Sequence, residues 1–307
     1  MQKGSAMDVT GTGAVRSATR TDGRTETRRG DGWILLSAVC FSTIPIFASY
    51  GYLAGVRTLP MLAWRFLLAI AALWVFLVLS GRLTRLPVSR VAGFLGMGLL
   101  YVVMTALYFR ALRYSAISTL TLLFYTYPAF VTVLAALVLK ERVTRIKAAA
   151  LLMALAGCLI VLSPREVGDW RGALLALASS VLYSGYMLVG TRLTRGVDPF
   201  LTTAWVMTAT AMAFVGAALF RGEMGSVRGG GAWGSILALA LVATVMADGS
   251  FFAGLPLTGA SRAAILSTVE PLFTIFLSAV LLGESISPVS FLGGALILGS
   301  VILIHRE

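Results

Sequence analysis

The 307-residue chain contains no asparagine, one glutamine (Gln2), one histidine (His305), two cysteines (Cys40 and Cys158) and three lysines (Lys3, Lys140 and Lys147). Each scarcity removes a class of protein. Two cysteines, in separate apolar runs, cannot staple a small secreted scaffold and read as buried small hydrophobes. One histidine at the C-terminal end leaves almost no material for a metal site or a histidine-based catalytic site, so neither is expected. No Gly-Lys-Ser/Thr phosphate loop occurs, which excludes an ATP-driven pump acting alone. Charge is scarce too, at 12% of residues against about 25% in soluble domains. Codon usage in a GC-rich genome would disfavour both Lys and Asn. The chemical consequence is that polar work in an apolar phase falls to Ser, Thr, Tyr, Trp and a few ions.

What is abundant is apolar surface. Hydrophobic residues make up 58% of the chain and the mean hydropathy is +0.89. A soluble fold of this size cannot hide so much, so an all-α integral membrane protein is expected. The net charge of +12 lies in short clusters between apolar runs. There it reads as membrane-orienting charge, with lipid and a small organic solute as partners and no nucleic acid. No cofactor is implied.

Residues 1–31 are rich in Gly, Ser, Thr and Arg and hold six basic and four acidic residues. Such a composition predicts a disordered cytoplasmic tail. It lacks the apolar core and cleavage site of a signal peptide, and Met7 is a second candidate start. From Gly32 onward, apolar stretches alternate with short polar breaks, each long enough for a helix to cross about 30 Å of hydrocarbon. Ten are counted, at about 32–54, 60–80, 91–111, 115–139, 145–163, 171–191, 199–220, 233–253, 261–282 and 288–305. They do not alternate as barrel strands would. With the N-terminus in the cytoplasm, segments on that side carry sixteen basic residues and those on the other side seven. Both termini are therefore expected on the cytoplasmic side of a bacterial inner membrane.

An internal repeat organises the ten runs. At an offset of 143, Tyr127-Pro128 lies over Glu270-Pro271, Leu139-Lys140-Glu141 over Leu282-Gly283-Glu284, Ser118 over Ser261 and Thr144 over Ser287. Earlier spans align less well, with Asp31-Gly32 over Arg171-Gly172. The parsing is a first five-helix repeat over 32–163 and a second over 170–305. Five is odd, so the repeats must be inverted across the membrane, a recurring transporter design.

Ionisable groups inside a span cost roughly 2.5–3.5 kcal/mol or more, which marks them as functional candidates. Glu270 is the deepest, followed at once by Pro271, where a kink is expected; Pro128 is its repeat counterpart. A carboxyl there suits substrate binding or proton carriage, or simply packs in its protonated form. Asp248 and Arg262, across the hairpin between the eighth and ninth runs, are expected to form an ion pair that is either a cytoplasmic gate or a static bridge. Arg65 either snorkels to the outer interface or offers a cation to a carboxylate solute or to Glu270. Tyr101, Tyr108, Tyr125, Tyr127, Tyr183 and Tyr186 form a second constellation, whose hydroxyls could replace water around a solute. Small-residue spacings at Ala150/Ala154, Ala213/Ala217 and Ala295/Gly299 predict close helix packing.

The stretch from Ala106 through Tyr127-Pro128 to Leu139-Lys140-Glu141-Arg142 resembles the fourth-helix region of EamA-type transporters, in the drug/metabolite transporter superfamily. Phe252 through Glu270-Pro271 to Leu282-Gly283-Glu284 resembles the same signature in a second repeat, followed by Gly293-Gly294 and Gly299-Ser300. Arg65 also fits, and the resemblance spans residues 32–305. It implies a ten-helix inverted-repeat carrier with a central cavity that exports small organic solutes such as amino acids, with homodimers in some members. Asp248 departs from the pattern expected of the eighth helix. The alternatives are an uncoupled facilitative uniporter, a lipid-linked-sugar flippase and, remotely, a membrane-embedded lipid enzyme. The last would need convergent nucleophiles or metal ligands that the sequence does not place at one depth.

Overall fold

In lipid, a backbone must satisfy its own N–H and C=O groups, and an apolar run of about twenty residues does so as a helix. Ten such helices are present in the computed structural model, which describes residues 11–111, 113–114, 117–162, 169–283 and 288–306. They are span 1 (Thr25–Leu53), span 2 (Thr58–Leu79), span 3 (Val88–Ala111), span 4 (Thr119–Leu139), span 5 (Arg145–Leu162), span 6 (Trp170–Leu193), span 7 (Pro199–Phe220), span 8 (Gly230–Thr258), span 9 (Ala260–Leu281) and span 10 (Pro288–His305). Asp198 starts span 7 as an N-cap, its Oδ1 accepting from the N–H groups of Phe200 and Leu201 at 2.8 and 3.1 Å, with Pro199 at the first helical position. Leu79 and Phe220, 82% and 94% exposed, belong to an outward apolar band that only lipid would cover.

The pairing of spans displays the repeat. Span 2 packs on 7 and 5 on 10, each pair mapping onto itself when the repeats are exchanged, and Tyr127–Leu134 of span 4 packs on Ala260–Ser267 of span 9. Spans 3 and 6 pack together, and so do their equivalents 8 and 1. Ten helices, five per copy, leave the second copy upside down relative to the first. Close approach is greatest where glycine permits it. A Cβ on Gly98 would lie 2.2 Å from the Val206 carbonyl oxygen, which fixes how near spans 3 and 7 can run. Gly157 and Gly293 do the same for spans 5 and 10. Ala150 and Ala154 are buried as expected, whereas Ala213 and Ala217 are not, because their face of span 7 turns outward.

Three spans are broken, and each break precedes a proline. Span 1 breaks at Ser42-Thr43 before Pro45, span 4 at Tyr125-Thr126 before Pro128, and span 9 at Thr268-Val269 before Pro271. Proline lacks the N–H that would close the preceding turn. A threonine hydroxyl reinforces the turn at each break: Thr43 donates to Cys40 O, Thr126 to Leu123 O and Thr268 to Ile265 O, each at 2.6 Å. Span 8 instead carries a wide π turn, Leu241–Met246, and a helical Pro256.

Two boundaries differ from expectation. The first helix begins at Gly11 rather than after residue 31, so composition alone misplaces the edge of the tail. Asp31, assigned to that tail, is 1% exposed because it is drawn into the bundle by a buried partner. Span 8 continues to Thr258, not 253, since helical geometry runs through Pro256. Glu284 and Ser287 of the aligned motif lie outside the described residues, as does the side chain of Ser118.

Candidate functional site

The extension of span 8 moves Asp248 inward. It stands ten residues from the Thr258 end, as Glu270 stands ten residues from the Ala260 end of span 9, so both carboxyls lie roughly 15 Å in from one face. Asp248 is 2% exposed and its Oδ2 has no hydrogen-bond partner. Arg262, only two residues into span 9, cannot reach that depth. The expected Asp248–Arg262 pair is therefore replaced: Arg262 Nε and Nη2 donate to Asp31 Oδ1 and Oδ2 at 2.7 and 2.6 Å. His305 Nδ1 lies 2.8 Å from the same Oδ2.

Arg65 does not snorkel. It is 5% exposed, and its guanidinium donates through Nε to Thr244 Oγ1 and through Nη2 to the Ala243 carbonyl, both at 2.8 Å. Those acceptors sit in the π turn of span 8, where the widened winding presents backbone oxygen to a neighbour. Thr244 in turn donates to Leu239 O at 3.0 Å. Asp248 lies about one helical turn beyond Thr244 in the same span and makes no ion pair with Arg65.

Glu270 is half-buried and opens the second half of span 9, Glu270–Leu282, where the positive end of that helix faces its carboxyl. The Tyr125 ring stands at the break in span 4, beside Phe124 and Tyr127. Tyr127 holds the repeat-equivalent place at the start of its own half-helix, Tyr127–Leu134.

The six tyrosines join into one ring network. Tyr101 stands 5.9 Å from Phe66 and 6.0 Å from Tyr186; Tyr186 stacks on Tyr183 at 6.0 Å; Tyr183 meets Tyr127 edge-on at 4.8 Å. Phe124 links Tyr125, Tyr127 and Tyr183 to Tyr108, whose hydroxyl shares a 2.7 Å hydrogen bond with Thr121. Phe252, one turn beyond Asp248, closes the ring against Tyr186 at 6.0 Å. The Tyr186 hydroxyl is buried and, like Asp248 Oδ2, has no partner. Arg65, Asp248, Glu270 and the tyrosines thus surround one central region, with Pro128 and Pro271 at the breaks beside it. Arg262 stands apart, at the rim.

The two halves that enclose this region match one family model twice. Residues 28–163 and 170–306 each fit the EamA-like transporter family. The chain belongs to that family. The chain is 26% identical over 288 residues to the uncharacterized transporter YcbK of Bacillus subtilis (strain 168), covering 87% of this chain and 90% of that one. It is 26% identical over 281 residues to an uncharacterized transporter of Archaeoglobus fulgidus, covering 91% and 97%. A crystal structure of another protein superposes with a TM-score of 0.77 at 23% identity, over 89% of this chain and 95% of that chain, and so shares the fold. This EamA-family protein is therefore a multi-pass membrane protein and a transporter of small solutes, not an enzyme.

Sequence reasoning missed three functional candidates. Asp31 gave one signal, an acid abutting the first apolar run. Thr244 and the Ala243 carbonyl gave none, because a π turn has no local signature in an apolar sequence. The third is Glu141, whose Oε1 and Oε2 accept from the Ala260 N–H and the Ser261 hydroxyl at 3.0 and 2.7 Å, capping span 9 from the other repeat. The aligned Glu141/Glu284 and Ser118/Ser261 pairs carried its signal.

Proposed function

We propose that this EamA-family protein is a secondary carrier exporting amino acids or related amino-bearing metabolites by alternating access across a bacterial cytoplasmic membrane. Both termini face the cytoplasm in this reading. The observation that carries it is the pair of buried, partnerless oxygens at the centre, Asp248 Oδ2 and Tyr186 Oη. A buried acceptor without a donor is costly, and a bound ammonium supplies the donors. Arg65, fixed by span 8, offers the complementary charge for a solute carboxylate, and the tyrosine rings offer faces for its apolar body.

The gate on the cytoplasmic face is assigned to Arg262 with Asp31, and to Glu141 with Ser261, since both contacts join one repeat to the other across that rim. Glu270, at a helix break with Pro271, is the coupling group, and Pro128 stands at the equivalent break of span 4. Broken helices at the repeat interface favour an alternating-access carrier over a lipid enzyme.

Thermal unfolding of the purified protein against amino acids, aromatic metabolites and toxic amines tests the reading. An amino-bearing solute at a hundred times its Kd adds about 2.7 kcal/mol of stability. That shift is expected to vanish in Asp248→Asn. Stabilisation only by solutes lacking an amino group, or a shift undiminished in the variant, would overturn it.

A further inference from the structure

Away from the tyrosine region, a cavity of about 280 Å³ opens at the rim where span 1 begins. Its walls include Arg28, Lys147, Arg262, His305 and Arg306. These come from the ends of spans 1, 5, 9 and 10, so the cavity lies at the level of a bilayer's headgroups. Its charges do not cancel. Asp31 is taken by Arg262 and His305, and Glu141 is shared between Lys147, 3.9 Å away, and the start of span 9. Arg28 and Arg306 are exposed and make no ion pair among the described residues. Among the described residues, four cations therefore stand around one concavity, and carboxylates hold two of them, Arg262 and Lys147.

We propose that this cavity is a binding site for the phosphate group of an anionic ligand, separate from the transport site. Two guanidiniums with unused forks suit the tetrahedral oxygens of a phosphate, which they can meet bidentately. Asp31 and Glu141 hold Arg262 and Lys147 in place, so the floor of the site is preorganised and only Arg28 and Arg306 need to close on the ligand. Because the lining residues belong to both repeats, a bound phosphate would bridge them at the same rim as the Asp31–Arg262 contact. The phosphate could belong to a lipid headgroup or to a free anion, and the chemistry is the same.

The test measures thermal unfolding of the full chain in detergent, with three additives titrated separately. These are phosphatidylglycerol, phosphatidylcholine, and inorganic phosphate against chloride at equal ionic strength. Saturable stabilisation by phosphatidylglycerol but not phosphatidylcholine identifies a lipid headgroup; saturable stabilisation by inorganic phosphate identifies a free anion. In either case Arg28→Ala/Arg306→Ala is expected to weaken the apparent affinity by about tenfold or more. Arg85→Ala/Arg195→Ala, which removes the same charge from the same face outside the cavity, is expected to leave it unchanged. Equal weakening in both double variants means diffuse surface attraction and overturns the proposal. So does an undiminished response in Arg28→Ala/Arg306→Ala, or no saturable response to any additive.

Discussion

Asp31 and Arg262 stand 231 positions apart in sequence and meet in a two-pronged contact of 2.7 and 2.6 Å, with both side chains under a tenth exposed. With His305 on the same carboxylate oxygen, the contact ties spans 1, 9 and 10 together at one rim. It joins the start of the first repeat to the end of the second.

Breaking that contact from one side should cost far more than removing it whole. Asp31→Ala leaves a guanidinium buried without a counterion, and such losses run to about 3–5 kcal/mol. The double variant Asp31→Ala/Arg262→Met removes both charges and should recover most of the loss. Thermal unfolding in detergent reads the difference. A double variant as unstable as the single one would mean that packing, not the charge pair, is responsible.

Glu141 and Ser261 make a smaller, separable contact between the repeats. Glu141→Ala leaves the Ala260 N–H and the Ser261 hydroxyl without their acceptor and should cost about 1–2 kcal/mol, as other helix caps do. Ser261→Ala should cost less, because the backbone N–H keeps its partner. A double-mutant cycle should return a coupling of at least about 0.5 kcal/mol. Additive losses would show that the two side chains do not act on each other.

Two glycines in span 3 provide an internal control on packing. A Cβ at Gly98 would meet the Val206 carbonyl at 2.2 Å and the Ala209 Cβ at 2.8 Å, whereas nothing lies within 4 Å of one at Gly96. Gly98→Ala must push spans 3 and 7 apart, at about 1–3 kcal/mol. Gly96→Ala should be neutral or slightly stabilising, since alanine is the better helix former. Unfolding temperatures of the two variants give the comparison directly.

The sequence patterns that proved legible are those with a long or repeated signal. Ten apolar runs announce ten helices, and the offset of 143 puts Tyr127 and Glu270 at equivalent breaks, as observed. The tyrosines converge because Tyr183 and Tyr186 share a helix face that turns inward. What stayed hidden depends on a few residues of helix length or winding. Ending span 8 five residues early set Asp248 beside Arg262, when it lies eight residues, about 12 Å, deeper than Arg262. The π turn that supplies acceptors to Arg65 comes from tertiary packing, and an apolar run reads the same whether it winds as α or π.

Glu270 provides the test of proton coupling. It faces the positive end of its half-helix and is half-buried where Asp248 is sealed, so it is the carboxyl placed to exchange protons with water. If it couples solute to protons, flux in proteoliposomes should rise with an imposed pH gradient. Glu270→Gln keeps the shape and hydrogen-bonding capacity but cannot ionise. It should abolish the gradient dependence while leaving solute exchange at equal pH within roughly tenfold, a change of about 1.4 kcal/mol in barrier. Asp248→Asn should reverse that pattern, weakening solute binding first. A flux indifferent to the gradient and unchanged in Glu270→Gln would leave an uncoupled uniporter as the working description, with Glu270 a packing residue at a proline break.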